Sequence, residues 1–434
     1  MDGPLGDLLS SVERLSESSS LSQLLALLNA NEELLIKHLP LLDDLLPVLC
    51  PRLNSLGMVY ILNCKAATVP LSNMQAVNVF IQQCRRLLLD CDPVQVQMVP
   101  AQFVAVCNKF SAAALAIKSP IVAVRPLQAA ALALQPTQTH FTQIHAEFMK
   151  VCLLSKCYSV AEPLLYRSKE LLHVDREATH VTPRDLLLYH YYAGMIEIGL
   201  KNFKSAIQYF TLCFSAPSNV LNAIMVEAYK KCLLCSLIEH GEQPRMPRYT
   251  SLSITRHVKN GIAPYTELAE AFAMRKASDL QQALEKHADI HRKDGTFGLA
   301  KQTVQALIRR NIHRLTQTYL TLSLAHIAES VELSSAQEAE CYIVRMVSKG
   351  EISAKIDEAQ GMVHFTELPE RFDTAATAVD MEAKIGAVIG LTEKLHEMNS
   401  QLVVDSNYIS RMARERQPRG WNEDEAMEAA PKFR

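Results

Sequence analysis

Glycine is scarce in this chain, at 14 of 434 residues, and it is not gathered into phosphate-binding loops. There is no GxxxxGK(S/T) loop, no strand-anchored GxGxxG turn and no GxSxG nucleophile elbow. Those motifs need glycine where a phosphate or oxyanion approaches the main chain closely, so nucleotide-binding and hydrolase readings of that type fall away. Aromatic residues are also few, at 6% with a single Trp, while hydrophobic residues reach 49%. That balance suits helices packed by Leu and Ala better than a sheet protein, and the length gives ample core for two or more domains. Charge of one sign is missing too: 44 Lys and Arg stand against 46 Asp and Glu, and the net charge of −2 carries no information about a polyanionic partner. The eleven cysteines are odd in number and scattered, which argues against a secreted disulfide framework and sets the expected location as nucleus and cytoplasm. The opening MDGPLGDLLS holds acids and no basic stretch, and the Leu-rich run from Leu21 is broken by Asn29, Glu32, Lys37 and Asp43. Neither a signal peptide nor a membrane span is expected.

What is present is helical periodicity with an internal repeat. A polar Ser-rich stretch before Ser20, expected to be mobile, precedes Leu-rich amphipathic helices to about Asp90. Lys156-Cys157-Tyr158-Ser159-Val160-Ala161 with Leu165 then aligns on Lys201-Asn202-Phe203-Lys204-Ser205-Ala206 with Phe210, and Lys118 to Ala123 with Leu127 gives a weaker third copy. In tetratricopeptide-like hairpins an aromatic closes the turn, a small Ala lets two helices approach, and a large residue four positions on fills the next groove. Residues 1–240 are therefore read as a curved array of helical repeats. Residues 241–264, with Pro244, Pro247 and Pro264 and the bases Arg245, Arg248, Arg256 and Lys259, read as a loop or linker, either solvated or touching an acidic partner. Helical pattern resumes at Tyr265, Leu268, Ala271 and Phe272.

The stretch from Ser334 to Phe365 changes character. Ser335 and Glu338 have the spacing of a reciprocal helix cap, Ala339, Ile343, Met346 and Val347 make an apolar stripe, and Gly350 follows Lys349 as a helix stop. Ile352 and Ile356 flank a short extended piece, and Gly361-Met362-Val363-His364-Phe365 alternates like a half-buried strand. With Tyr319 to Ser323 as an entering strand and a helix from Leu324 to Ser330, the order is that of a winged helix, placed in residues 265–370 and beginning at about 319. Such modules often read DNA, but across Lys301 to Glu370 about seven Lys and Arg face about nine Asp and Glu. That is a poor phosphate surface, so packing against other proteins is the favoured use and nucleic acid is not expected as a partner. The strand at Met362 to Thr366 is read as an edge open to another subunit, which makes Met362, Val363 and Phe365 interface candidates.

The spacing of Gly350-Glu351-Ile352, Lys355-Ile356-Asp357 and Gly361 to Phe365 resembles the terminal block of the PCI family, shared by the proteasome lid, the COP-nine signalosome and an initiation-factor scaffold. The run from Leu307 to Ser323, Gly199 to Phe203, and Glu227 to Lys231 narrow the resemblance to signalosome members of that family. The resemblance implies a non-catalytic scaffold within a complex that removes a ubiquitin-like modifier from cullins. It implies as partners other PCI subunits and metal-dependent isopeptidase subunits, with cullin-RING ligases reached through the complex. The alternative is a scaffold of the proteasome lid or of an initiation assembly with RNA or ribosome contact. The His-x-His…Asp pattern of a zinc isopeptidase is absent from this chain.

Other chemistry is equally thin. His287 and His291 stand four apart, as in HExxH, but Ala288 occupies the place of the glutamate, so both are read as surface or capping residues. Cys232 and Cys235 have a metal-like spacing but apolar neighbours and no second pair, and are read as core. No catalytic residue, cofactor or metal is therefore expected. Residues 371–416 read as one long amphipathic helix on which Met381, Ile385, Val388, Leu395, Met398, Leu402, Ile409 and Met412 lie near a heptad track. That stripe packs either on its own domain or, the favoured reading, in a bundle with helices of neighbouring subunits. Residues 417–434 are acidic, contain Pro418 and Pro431, and are expected to be disordered.

Overall fold

The computed structural model describes residues 11–416 apart from 13, 16–19, 40–41, 44–45, 48, 71, 138–139, 170–173, 175–178, 180, 218–221, 252–254, 257–261 and 367–373. The tail from 417, most of the polar stretch before Ser20 and Lys259 of the basic loop lie outside the described residues. The fold is mostly α, as the composition and periodicity predict. It begins with α1 (Leu21–Ala30), α2 (Glu32–Lys37), α3 (Ser55–Thr68), α4 (Met74–Asp90), α5 (Pro93–Gln97), α6 (Pro100–Ala116), α7 (Ile121–Leu134), α8 (Gln143–Leu154), α9 (Tyr158–Lys169) and α10 (Pro183–Gly199). It continues through α11 (Phe203–Phe214), α12 (Ala223–Glu239), α13 (Ala263–Ala273), α14 (Ala277–Lys286), α15 (Ala288–Lys293) and α16 (Phe297–Thr318). The module β1 (Thr321–Ser323), α17 (Leu324–Val331), α18 (Ala336–Ser348), β2 (Ser353–Asp357) and β3 (Met362–Thr366) follows, then α19 (Ala375–Val404) and α20 (Ser406–Arg416). The chain divides into two compact units, Met1–Phe365 and Thr366–Arg434.

The repeat seen in the sequence has a backbone cause. Lys118, Lys156 and Lys201 each adopt a left-handed conformation, with φ of 56°, 58° and 65°. Each ends its helix with the same pair of bonds. Lys118 N–H donates to Leu115 O and Ser119 N–H to Ala114 O; Lys156 and Cys157 do the same to Leu153 and Cys152, and Lys201 and Asn202 to Ile198 and Glu197. This double closure satisfies carbonyls that the helix end would leave open and turns the chain into the next helix. Five residues after each lysine comes a fully buried alanine, Ala123, Ala161 or Ala206, and four further on the buried Leu127, Leu165 or Phe210. The copy that looks weakest in sequence, at Lys118, is thus as regular as the others. The device recurs at Gly295 (φ 66°), followed at the same spacings by the buried Ala300 and Val304. That copy is hidden in the sequence because glycine, which takes this conformation freely, replaces the basic residue.

The aromatic residues of the repeat meet glycines on α10. A Cβ on Gly194 would lie 2.6 Å from the Phe210 ring, and one on Gly199 would lie 2.8 Å from the Tyr158 ring. α10 also lies between two cores. Tyr189, Ala193 and Ile196 belong to the one formed by the preceding helices, while Leu187, with Tyr191, Met195 and Ile198 packed alongside, belongs to the one that runs on through α12, α16 and the strands. A helix apolar all round has to be enclosed on both sides, and α10 is.

The second unit contributes α19 and α20. The expected single helix is broken: the chain leaves helical geometry at Asp405 (ψ 119°), whose carboxylate accepts the Asn407 N–H at 2.8 Å. An aspartate at that place starts a new helix rather than continuing the old one.

Candidate functional site

The winged helix is built around a three-stranded sheet in the order β1-β3-β2. β1 pairs antiparallel with β3, Thr321 opposite His364, Leu322 opposite Val363 and Ser323 opposite Met362. Phe365 N–H donates to Leu320 O at 2.8 Å and Leu324 N–H to Gly361 O at 2.9 Å, so the ladder extends beyond the paired residues. The Asp357 carboxylate accepts the Ala359 N–H at 3.1 Å, and Gly361 (φ 63°) completes the β2–β3 turn.

This order corrects the edge assignment. β3 is the central strand, with Val363 fully buried and Phe365 nearly so, while Met362 is half-buried. The last strand in sequence returns between β1 and its own hairpin partner, so the outer strands are β1 and β2. β2 exposes Lys355 and half-buries the residues on either side of it. Charged side chains on an edge strand limit indiscriminate pairing while leaving the backbone groups in reach of a matched partner. Val363 and Phe365 therefore hold the module together, and any pairing surface on this sheet falls to its neighbours.

α18 buries one face and leaves the other open. Ala339, Ile343 and Met346 are buried, whereas Val347, expected in the same stripe, is exposed together with Val344. The cap differs in detail: the Ser335 hydroxyl accepts the Glu338 N–H at 3.2 Å, but the Glu338 carboxylate accepts from the N–H and hydroxyl of Ser334, one residue further back. Glu338 thereby keeps a negative charge at the helix start, where the amides favour it.

On α19 the heptad residues are all exposed on this chain, Met381 at 62%, Val388 at 62%, Leu395 at 57% and Leu402 at 48%, with Ile385 and Met398 alike. Burying one such side chain is worth roughly 1.5–3 kcal/mol. A stripe of six left open is a strong attraction for a matching helix.

The residues with metal-like or nucleophile-like spacing are engaged in packing. His287 Nε2 lies 2.7 Å from Glu267 Oε2, which also accepts from Lys286 at 2.7 Å; these two partners hold the Glu267 carboxyl down to about 2. His291 is not a surface residue. It is fully buried, with its ring 4.7 Å from that of Tyr265 in an edge-on contact, because the short α15 turns it inward beneath α13. Around it Tyr265 donates to Asp294 Oδ2 at 2.9 Å, and Lys230 bridges the same carboxylate at 2.8 Å and Glu227 at 2.7 Å. Cys232 and Cys235 are fully buried on α12, and burial pushes the Cys232 thiol up to about 12 and the Cys235 thiol further, which leaves neither as a thiolate ligand or nucleophile. Among the described residues no group of three or more His, Cys, Asp or Glu is placed to hold a metal, and no helix is long and apolar enough to cross a membrane.

Comparison with known proteins matches both halves of this architecture. Residues 18–254 fit the family model for the N-terminal helical repeats of COP9 signalosome complex subunit 3, and residues 284–367 fit the PCI domain. A COP9 signalosome complex subunit 3 from Dictyostelium discoideum is 35% identical over 390 residues, 89% of this chain and 91% of that protein. Its counterpart from Arabidopsis thaliana is 35% identical over 372 residues, 86% and 84% of the two chains. Repeats closed by left-handed turns, a winged helix short of bases and two relatives aligned nearly end to end lead to one assignment: the chain belongs to the COP9 signalosome complex subunit 3 family.

Proposed function

We propose that this chain is a non-catalytic scaffold subunit of the COP9 signalosome, the complex that removes a ubiquitin-like modifier from cullins and so regulates cullin-RING ubiquitin ligases. The observation that carries the reading is the exposed heptad stripe of α19 on a chain of this family: a helix so apolar and so open is built to be completed by others. Met381, Ile385, Val388, Leu395, Met398 and Leu402 are its bundle contacts. The sheet contribution comes from the outer strand β2 next to Met362, with Val363 and Phe365 acting from behind as its support. The segments of this scaffold are the repeats of residues 1–240, the connection 241–264, the PCI part to 370 and the terminal helix region to 416, and the last repeat shares its core with the PCI part. The isopeptidase activity belongs to another, metal-bearing subunit, consistent with cysteines and histidines spent on packing here. Its working locations are nucleus and cytoplasm, and its partners are other PCI subunits and the isopeptidase subunits, with the ligases reached through the assembly.

The test is affinity purification of the tagged chain from its own cells, followed by native mass and a cullin-deconjugation assay. Recovery of a large assembly with metal-dependent deconjugating activity is the expected result. A ribosomal or RNA-bound fraction lacking that activity would overturn it. Imaging of the tagged chain in both compartments tests the location.

A further inference from the structure

Within the first unit, the last helical repeat and the winged helix leave a cleft of about 810 Å³ between α11, α12, α16 and α18. Small-molecule sites commonly measure roughly 300–1,000 Å³. Its walls carry five cationic side chains against two carboxylates. α16 supplies Arg309 and Arg310, the turn before α11 supplies Lys201, and Arg345 and Lys349 come from the end of α18. The four-residue spacing puts Arg345 and Lys349 on one face, and both are exposed.

The carboxylates offset only part of this set. Glu351 takes Arg309 at 3.3 Å, and Arg310 donates to the main-chain carbonyl of Glu239, not to its carboxylate. Lys201 donates to Gln302 Oε1 at 3.0 Å, a neutral partner. Burial pulls the Arg310 guanidinium below its ordinary value; Glu239 and Glu242 pull against that, and Arg309 beside it pushes the same way as burial. Arg314, one turn further along α16, is lowered by burial and then by Arg275 and Arg310. Positive charge is crowded here, and a multivalent anion would relieve that crowding. Guanidinium forks and ammonium groups on separate walls match several phosphates held close together better than one phosphate alone. A nucleic-acid strand is disfavoured, because the outer face of α18 continues into Val344 and Val347 and provides no basic track.

We propose that this cleft binds a small polyphosphate anion, with Arg345 and Lys349 on one wall and Arg309 and Arg310 on the other. Because the walls come from the last repeat and from the winged helix, the ligand braces one against the other. The inference stands independently of the assembly role.

The test is calorimetric titration of the full chain with inorganic tripolyphosphate at near-physiological salt, with orthophosphate and a single-stranded RNA of about 20 nucleotides as comparisons. Saturable tripolyphosphate binding in the micromolar range is expected, with orthophosphate at least about tenfold weaker and the melting temperature raised by the ligand. The double variant R345S/K349S, altered only at exposed positions, is expected to melt as the parent does and to bind about tenfold or more weakly. The control K384S on α19 is expected to bind as the parent does. Three results would each overturn the proposal: no saturable tripolyphosphate binding below about 1 mM, unchanged affinity in R345S/K349S, or RNA binding more tightly than tripolyphosphate through the same two residues.

Discussion

α10 and α19 both carry many apolar side chains, yet the fates of those side chains are opposite. α10 is enclosed between two cores, with Tyr189 and Ile196 fully buried on one side and Leu187 nearly so on the other. α19 keeps Met381, Val388, Leu395 and Leu402 roughly half exposed. Composition cannot tell the two apart. The distinction lies in whether the same unit supplies the neighbours: short turns ending in Lys156 and Lys201 fold helices back onto α10, whereas within its own unit α19 is followed only by α20 among the described residues. A helix of the first kind contributes to stability, and one of the second kind leaves apolar surface open.

The comparison breaks most severely if a charge is tolerated in the enclosed region. Val363, fully buried at the centre of the sheet, is the sharpest place to try it. Val363→Asp loses the burial of the side chain and sinks a carboxylate into the hydrophobic core, and a cost of about 4 kcal/mol or more is expected. Chemical denaturation of the chain should show a lost or strongly shifted transition. A cost below about 1 kcal/mol would mean that the winged helix does not depend on its central strand.

Acid is a second, gentler way to put charge into the enclosed region. His145 and His190 face its interior from α8 and α10, and burial pushes each down to about 4. An unfolded histidine titrates near pH 6.5. Above that pH neither state is protonated and the histidines favour neither. As pH falls from about 6.5 toward 4 the unfolded chain takes up protons first, so stability declines, by an order of magnitude of about 3 kcal/mol per histidine. Urea midpoints measured at pH 7.5 and 5 should fall with acid, and H145Q/H190Q should flatten that dependence. An identical slope in parent and variant would assign acid sensitivity to other groups.

How far the sequence could be read follows the same division. Lys156, Lys201 and their alanines reveal the repeats because spacing is local information. The winged helix is legible for the same reason, since Ser335, Gly350 and Gly361 punctuate it. Strand order is not local: nothing in Gly361 to Phe365 says which neighbour lies on each side, and alternation alone made the central β3 look like an edge. His291 reads as a surface residue because its burial depends on Tyr265, which reaches it from α13. The cationic cleft escaped notice because its wall residues, Lys201, Arg309 and Arg345, come from three separated segments. The stripe of α19 is legible up to Leu402, whereas the break at Asp405 that puts Ile409 and Met412 on a separate helix is not.

A smaller effect is expected at the start of α18. Ser335→Ala removes the hydroxyl that accepts the Glu338 N–H and should cost about 1 kcal/mol. Glu338 remains bonded to Ser334 and keeps part of the cap, so the winged helix should stay folded. The measurement is the urea midpoint against that of the parent chain. A loss above about 3 kcal/mol would mean that this turn is enclosed more tightly than its exposure indicates.

Met398→Glu should have the least effect on the isolated chain and the most on its company. Met398 is 51% exposed, so a carboxylate there remains in water and the melting transition should move by less than about 0.5 kcal/mol. Once a neighbouring helix covers the stripe, the same carboxylate is desolvated without a partner, and incorporation into the assembly should fall by about tenfold or more. Competition between tagged parent and variant for incorporation in cells reads this directly, with the melting curve of each purified chain as the control. Equal incorporation would show that the stripe is not a buried contact in the assembled state. An unfolded variant would show that α19 is stabilised within its own chain, and the contrast with α10 would then disappear.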